Sequence, residues 1–185
     1  MMIGICGKSG CGKSTLAKQI IKLSDIKYVH LEIDKVGHHV LLVPEVQEEL
    51  VKAFGQEVLK EGRVDRKKLG EIVFDSRNEM DKLTEITWKQ MQIEIDEFIR
   101  QHPDEIVILD WILLPISKYF DQCDMTILLD VPYEVRKQRA MKRDNISEEA
   151  FALREKASLE YDPNMFDIVL TKTDPKTIQR LVKQL

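Results

Sequence analysis

The chain has 185 residues, 43% of them apolar and 32% charged, with 28 Lys and Arg against 32 Asp and Glu for a net charge of −4. That composition fits a globular domain with room for a real core, and the acidic balance excludes a duplex nucleic-acid binder relying on a broad basic surface. No apolar run approaches the ~18 residues of a membrane span, so neither nucleic acid nor membrane is expected as a partner.

Met2-Ile3-Gly4-Ile5-Cys6 reads as a short buried strand, and Gly7-Lys8-Ser9-Gly10-Cys11-Gly12-Lys13-Ser14 fits G-x-x-x-x-G-K-[ST]. Apolar residues at helical spacing follow from Thr15 to Leu23. Strand, loop and helix in that order are the context a phosphate-binding loop requires. The glycines let backbone N–H groups turn inward around an anion, and the helix start adds unpaired donors. The residues from Gly7 to Thr15 (Lys8, Ser9, Gly10, Cys11 and Gly12 included) are the expected nucleotide contacts. Within them Lys13 reaches the β- and γ-phosphates of ATP and the Ser14 hydroxyl ligates Mg²⁺. The first residues are thus committed to this loop and are not expected to form an export signal.

Lys27 to Asp34 reads as a second strand ending in a carboxylate. Residues 36 to about 101 turn helical: a helix opened by Pro44, a turn at Glu61-Gly62, and helical spacing from Leu69 onwards. Further strands are expected at Glu105–Asp110, Asp124–Val131 and Phe166–Thr171, with helices from about Tyr133 to Arg143, Ser147 to Leu159 and Lys176 to Leu185. Five short apolar strands separated by helices specify an α/β fold with a parallel sheet covered on both faces. The fold class is a P-loop three-layer α/β/α sandwich in a single kinase domain. Its core is about 1–35, 103–132 and 160–185, with a helical acceptor-binding lobe at about 36–102 and a lid at about 133–159. Ligands of such sheets lie beyond the carboxyl ends of the strands, which puts the loop, Asp34 and Asp110 along one rim.

Phosphoryl transfer needs a cradle, a metal, an aimed acceptor and positive charge on the migrating group. Asp110, ending an apolar strand, is the expected partner of the metal through water, a strand-end cap being the alternative. Asp34, with Glu32 two residues earlier on the same strand face, is expected to orient an acceptor hydroxyl and take its proton; the alternative is a helix cap. Arg136, Arg139 and Arg143 fall at i, i+3 and i+7 of a basic helix, and Arg139 and Arg143 are the lid cations expected over the phosphates, a solvated charged face being the alternative. His38 and His39, one turn past Asp34, are candidate acceptor contacts, whereas His30 and His102 read as ordinary strand and loop residues. Cys6, Cys11 and Cys123 are odd in number and lack C-x-x-C spacing, so reduced thiols and a cytoplasmic location are expected. Cys11 stands at a helix start where a lowered thiol pKa and redox sensing are conceivable, against a plain small side chain at a variable loop position.

Ile33-Asp34-Lys35-Val36-Gly37-His38-His39-Val40-Leu41 resembles the D-x-D-K-x-x-H segment of dephospho-coenzyme A kinases. Phe54-Gly55, then Gly62-Arg63-Val64-Asp65-Arg66-Lys67-Lys68-Leu69 through Val73-Phe74, is similar to that family's F-G…G-x-x-D-R-x-x-L…V-F block. Arg139-Ala140-Met141-Lys142-Arg143-Asp144 with Ser147-Glu148-Glu149-Ala150 is similar to its lid motif. The resemblance implies transfer of the ATP γ-phosphoryl group to the ribose 3′-hydroxyl of dephospho-coenzyme A, with Asp34 on the acceptor side. It also implies that the lobe carrying Arg66 and Leu69 holds this small-molecule acceptor. Departures from the family pattern stand at Glu32, Trp88-Lys89, Ile116, Ser158 and Lys172. Two other readings stay open on sequence: a kinase of another nucleoside-like or nucleotide-like molecule, and a nucleotide-binding regulatory module without turnover. A monomer is favoured, with the oligomeric state open.

Overall fold

The computed structural model of the chain describes residues 1–73 and 76–185; Phe74, the last residue of the V-F motif, lies outside them. In chain order the elements are β1 (Met2–Cys6), α1 (Lys13–Leu23) and β2 (Tyr28–Glu32). Then come α2 (Ile33–His39), α3 (Pro44–Phe54), β3 (Leu59–Lys60), β4 (Arg63–Val64), α4 (Arg66–Val73) and α5 (Arg77–Gln101). The last are β5 (Ile106–Asp110), β6 (Met125–Leu129), α6 (Tyr133–Asp144), α7 (Glu148–Lys156), β7 (Ile168–Leu170) and α8 (Pro175–Val182). They form two compact units, Met1–Glu32 with His102–Leu185, and Ile33–Gln101.

The first unit is an α/β layer structure. Among the described residues its sheet has five parallel strands in the order β2-β5-β1-β6-β7, with Ile5 opposite Asp110 and Glu32 also opposite Asp110. β1 is central and wholly buried. Alternation sends Ile3 and Ile5 to one face, where they pack with Leu16 and Ile20 of α1 and Ile178 and Leu181 of α8. Gly4 faces the other way, where an added Cβ would lie 2.6 Å from Leu114 and 3.0 Å from Cys123. Each fully buried Ile or Leu contributes ~1.5–3 kcal/mol, so these faces hold the strand that delivers the loop. Asp174 caps α8 by accepting from the Lys176 and Thr177 N–H groups, and Ser147 caps α7 by accepting from Ala150.

In the second unit, α3 starts with Pro44 in its first turn and ends at Gly55 (φ +90°), burying Val46, Leu50 and Phe54 on one stripe. These pack with Leu41, Val58, Leu69 and Val73. The turn expected at Glu61-Gly62 is the tip of an antiparallel hairpin, with Leu59 opposite Val64 and both tip residues at positive φ. Its strands are two residues long, too short to show alternation in the sequence.

One expectation is corrected here. β2 stops at Glu32 and α2 begins at Ile33, so Asp34 sits in the first turn of a helix and does not share a strand face with Glu32. Ile33 and Val36, three apart, are both buried, which sets the helical period, and a carboxylate in the first turn suits the helix dipole.

Candidate active site

The end of β1 hands the chain to the loop, and the loop closes into α1. A turn bond from the Cys11 N–H to the Lys8 carbonyl (3.2 Å) shapes it, and Gly12 (φ +99°) stands just before the helix. Gly10 (φ +80°) lies so close to α6 that a Cβ there would be 2.2 Å from the Arg136 carbonyl oxygen, so this corner admits only glycine.

Lys13 donates from Nζ to the Gly7 carbonyl at 3.1 Å, and its ammonium stands 4.0 Å from the Asp110 carboxylate. Ser14 Oγ donates to Asp110 Oδ2 at 2.6 Å. Asp110 is 3% exposed at the carboxyl end of β5, and its Oδ2 also lies 3.4 Å from His30 Nε2 of β2. A hydroxyl and a carboxylate joined this closely form a hard oxygen pair of the kind that suits Mg²⁺. The residues present therefore fit such an ion.

The arginines of α6 separate into three environments. Arg136 is buried and forked onto Glu155 of α7 (2.7 and 2.8 Å), with further donation to the Val131 carbonyl at 2.9 Å. Arg139 is exposed and reaches back to donate to the Cys11 carbonyl at 3.3 Å, so its guanidinium lies against the phosphate loop. Arg143 pairs with neighbouring Asp144 (2.8 and 2.9 Å). The one stripe expected from i, i+3, i+7 spacing is therefore divided, since a half-buried acid of α7 claims one cation and a local acid another. Lys8 is likewise engaged, at 3.1 Å from Glu155 and 2.5 Å from Glu160. Side-chain bonds to Glu160 and Glu155 hold the Lys8 pKa above its ordinary value against desolvation, and Arg136 with Lys8 holds that of Glu155 below.

Cys11 does not have the lowered pKa considered for it. It is fully buried, and desolvation outweighs the nearby Lys13 charge and pushes the thiol up. Burial raises Cys6 as well, and Cys123 rises to about 12; all three are free thiols.

In the second unit, Asp34 and His38 are exposed on α2, and the Arg66 guanidinium of α4 is 2.9 Å from His38 Nε2. Desolvation and the Arg66 charge hold the His38 pKa below the usual imidazole range. His39 pairs instead with Glu94 at 2.9 Å. Leu69 is 4% exposed within the apolar cluster of this unit, which places its side chain in the core and not at a surface for ligand. Among the described residues no three His, Cys, Asp or Glu side chains group as a metal site.

Sequence reasoning missed Glu155 and His30. A single acid on an acidic helix carries no signal of a partner 19 residues away. For His30 the sign was available only through strand pairing, because β2 lies beside β5 with His30 opposite Ile108.

Comparison with known proteins gives a consistent result. The family described as dephospho-CoA kinase (CoaE) matches the chain over residues 1–171. The chain is 40% identical over 160 residues to the dephospho-CoA kinase of Aquifex aeolicus, covering 85% of this chain and 80% of that one. It is 33% identical over 150 residues to the dephospho-CoA kinase of Fusobacterium nucleatum, covering 80% and 76%. Among solved structures, TT1252 from Thermus thermophilus has a TM-score of 0.82 at 26% identity, covering 100% of this chain and 95% of that one. The dephospho-CoA kinase from Campylobacter jejuni has a TM-score of 0.58 at 22% identity, covering 99% and 94%, a likeness of fold.

Proposed function

Since the chain belongs to the dephospho-CoA kinase family, we propose that it transfers the γ-phosphoryl group of ATP to the ribose 3′-hydroxyl of dephospho-CoA, giving CoA and ADP. The observation that carries this reading, beside the family match, is the glycine-cornered loop whose Ser14 is bonded to Asp110 and whose Cys11 carbonyl accepts from Arg139.

The loop from Gly7 to Thr15 binds the triphosphate through backbone N–H groups and the start of α1. Lys13 exchanges its Gly7 carbonyl for the β- and γ-phosphate oxygens, and Arg139 moves the short distance from the Cys11 carbonyl onto the migrating group. Ser14 and, through water, Asp110 would hold Mg²⁺, which would neutralise charge on the phosphates. Asp34 orients the 3′-hydroxyl and accepts its proton as the oxygen bonds to the γ-phosphorus; the bond to the β-phosphate oxygen breaks and ADP departs. His38 and Arg66, already paired with each other, take the acceptor side, and Leu69 supports them from the core of their unit. Arg143, held by Asp144, is the second lid cation. No helix of the described residues is long and apolar enough to cross a membrane. The free thiols support a reducing compartment, and we place the protein in the cytoplasm as a monomer.

Incubating the protein with ATP, Mg²⁺ and dephospho-CoA and analysing products by mass spectrometry tests the assignment. Equal amounts of ADP and 3′-phosphorylated product are expected. Nucleotide binding without that product overturns it.

A further inference from the structure

The cation position of the phosphate loop has a neighbour that the reaction above leaves unused. His30 of β2 is 9% exposed in its side chain, and its Nε2 is buried without a hydrogen bond among the described residues. That atom is aimed at Asp110 Oδ2 from 3.4 Å, on the same carboxylate oxygen that accepts from Ser14 at 2.6 Å. The placement follows from the sheet. β2 pairs with β5 so that His30 sits opposite Ile108, and the imidazole extends along the strand toward the carboxyl edge where Asp110 ends β5.

A separation of 3.4 Å is long for an N–H···O bond, which runs about 2.7–3.2 Å. The nitrogen is thus buried, without a hydrogen bond among the described residues, and beside the oxygen pair that would hold the cation. We propose that His30 is a further protein ligand of the divalent cation held by Ser14 and, through water, by Asp110, and that this nitrogen makes the position prefer Mn²⁺ to Mg²⁺. The proposal rests on the reading that Ser14 and Asp110 hold the cation. Mg²⁺ is hard, keeps its waters and gains little from imidazole; Mn²⁺ shares its oxygen ligands but stands, at the weak end, on the first-row series whose affinity extends to nitrogen sites. Ser14, Asp110 and His30 come from α1, β5 and β2 of a single compact unit, so the site is built on rigid elements. The Lys13 ammonium, 4.0 Å from Asp110, opposes a cation there until nucleotide phosphates draw it away.

The test uses the whole protein with a non-hydrolysable ATP analogue. Mn²⁺ binding is followed by the paramagnetic signal of the free ion and Mg²⁺ binding by competition. Pulsed resonance on protein labelled with nitrogen-15 histidine reports coordinated imidazole. The wild type is expected to show nitrogen coupling to Mn²⁺. His30→Leu is expected to abolish the coupling and to lose ~10–100-fold in Mn²⁺ affinity, with Mg²⁺ affinity nearly unchanged. His30→Gln, which keeps a polar side chain of similar size, gives the same result if the leucine variant does not fold. Absence of coupling in the wild type, or equal loss of both ions in the His30 variants, overturns the proposal and leaves His30 a brace for Asp110. Ser14→Ala and Asp110→Asn separate the underlying reading: each weakens both ions if these residues hold the cation. Full retention of Mn²⁺ in both overturns that reading and this proposal together.

Discussion

Replacing Gly10 with alanine tests how the phosphate loop is held against α6, and Gly12→Ala supplies the control. Both glycines have positive φ, +80° and +99°, so each alanine carries a backbone cost of ~1–2 kcal/mol. The surroundings differ. At Gly12 the nearest atom to the new methyl is Arg139 Nη1 at 3.8 Å, an ordinary contact with a mobile side chain. At Gly10 the methyl meets backbone: the Arg136 carbonyl oxygen at 2.2 Å, its carbon at 2.9 Å and its Cα at 3.0 Å. Relief requires loop and helix to part by roughly 1 Å, since non-bonded carbons settle at about 3.5–4.0 Å. Overpacking of that kind adds ~1–3 kcal/mol. With ~2–4 °C of melting temperature per kcal/mol for a chain of this length, Gly12→Ala should melt ~2–8 °C below wild type. Gly10→Ala should fall a further ~2–12 °C on the same scale. Circular dichroism melts without nucleotide measure both. Equal losses, or a larger loss at Gly12, would refute the steric reasoning.

Lys13→Ala should lower kcat at least ~100-fold with the melting temperature nearly unchanged, because its contribution is charge on the phosphates; near-normal turnover removes it from the reaction. Asp34→Asn should also cost at least ~100-fold in kcat, and retained turnover would leave Asp34 as a helix-start residue only. Arg139→Ala should cost ~10³-fold and Arg143→Ala much less, as Asp144 already engages Arg143; steady-state kinetics showing the reverse order would exchange their roles. Bonds from Arg143 and then Arg154 lower the Asp144 pKa to about 2 in the folded chain, against ~3.9 for a free Asp. Its stabilising contribution is therefore complete above about pH 4 and disappears as pH falls through about 2. Urea unfolding across that range should show a steeper acid loss in wild type than in Asp144→Asn, and identical curves would contradict it.

The loop was legible because every part of its signal is local: an apolar pentapeptide, glycines at fixed spacing and a helical period after them. The helix from Pro44 to Phe54 and the capped helix after Asp174 were legible for the same reason. What stayed hidden depended on pairing across the chain. Asp34 looked like a strand end because nothing local marks where β2 gives way, whereas burial of Ile33 and Val36 decides it. Arg136 looked like one more cation of the stripe, and its partner lies on another helix. His30 read as an ordinary strand residue until the β2–β5 register set it beside Asp110.

Glu155 is shared between Arg136 and Lys8 near the final turn of α7, while the outer attachments of that helix, Lys137 to Glu148 and Arg154 to Asp144, are more open to water. Counter-ions weaken exposed pairs first and buried ones last. At rising ionic strength the pairs at Glu148 and Arg154 therefore weaken ahead of those at Glu155, which keeps the last turn of α7 tied to α6 and to the phosphate loop. Salt thus strips the surface attachments of this helix and spares the one that reaches the nucleotide-binding loop.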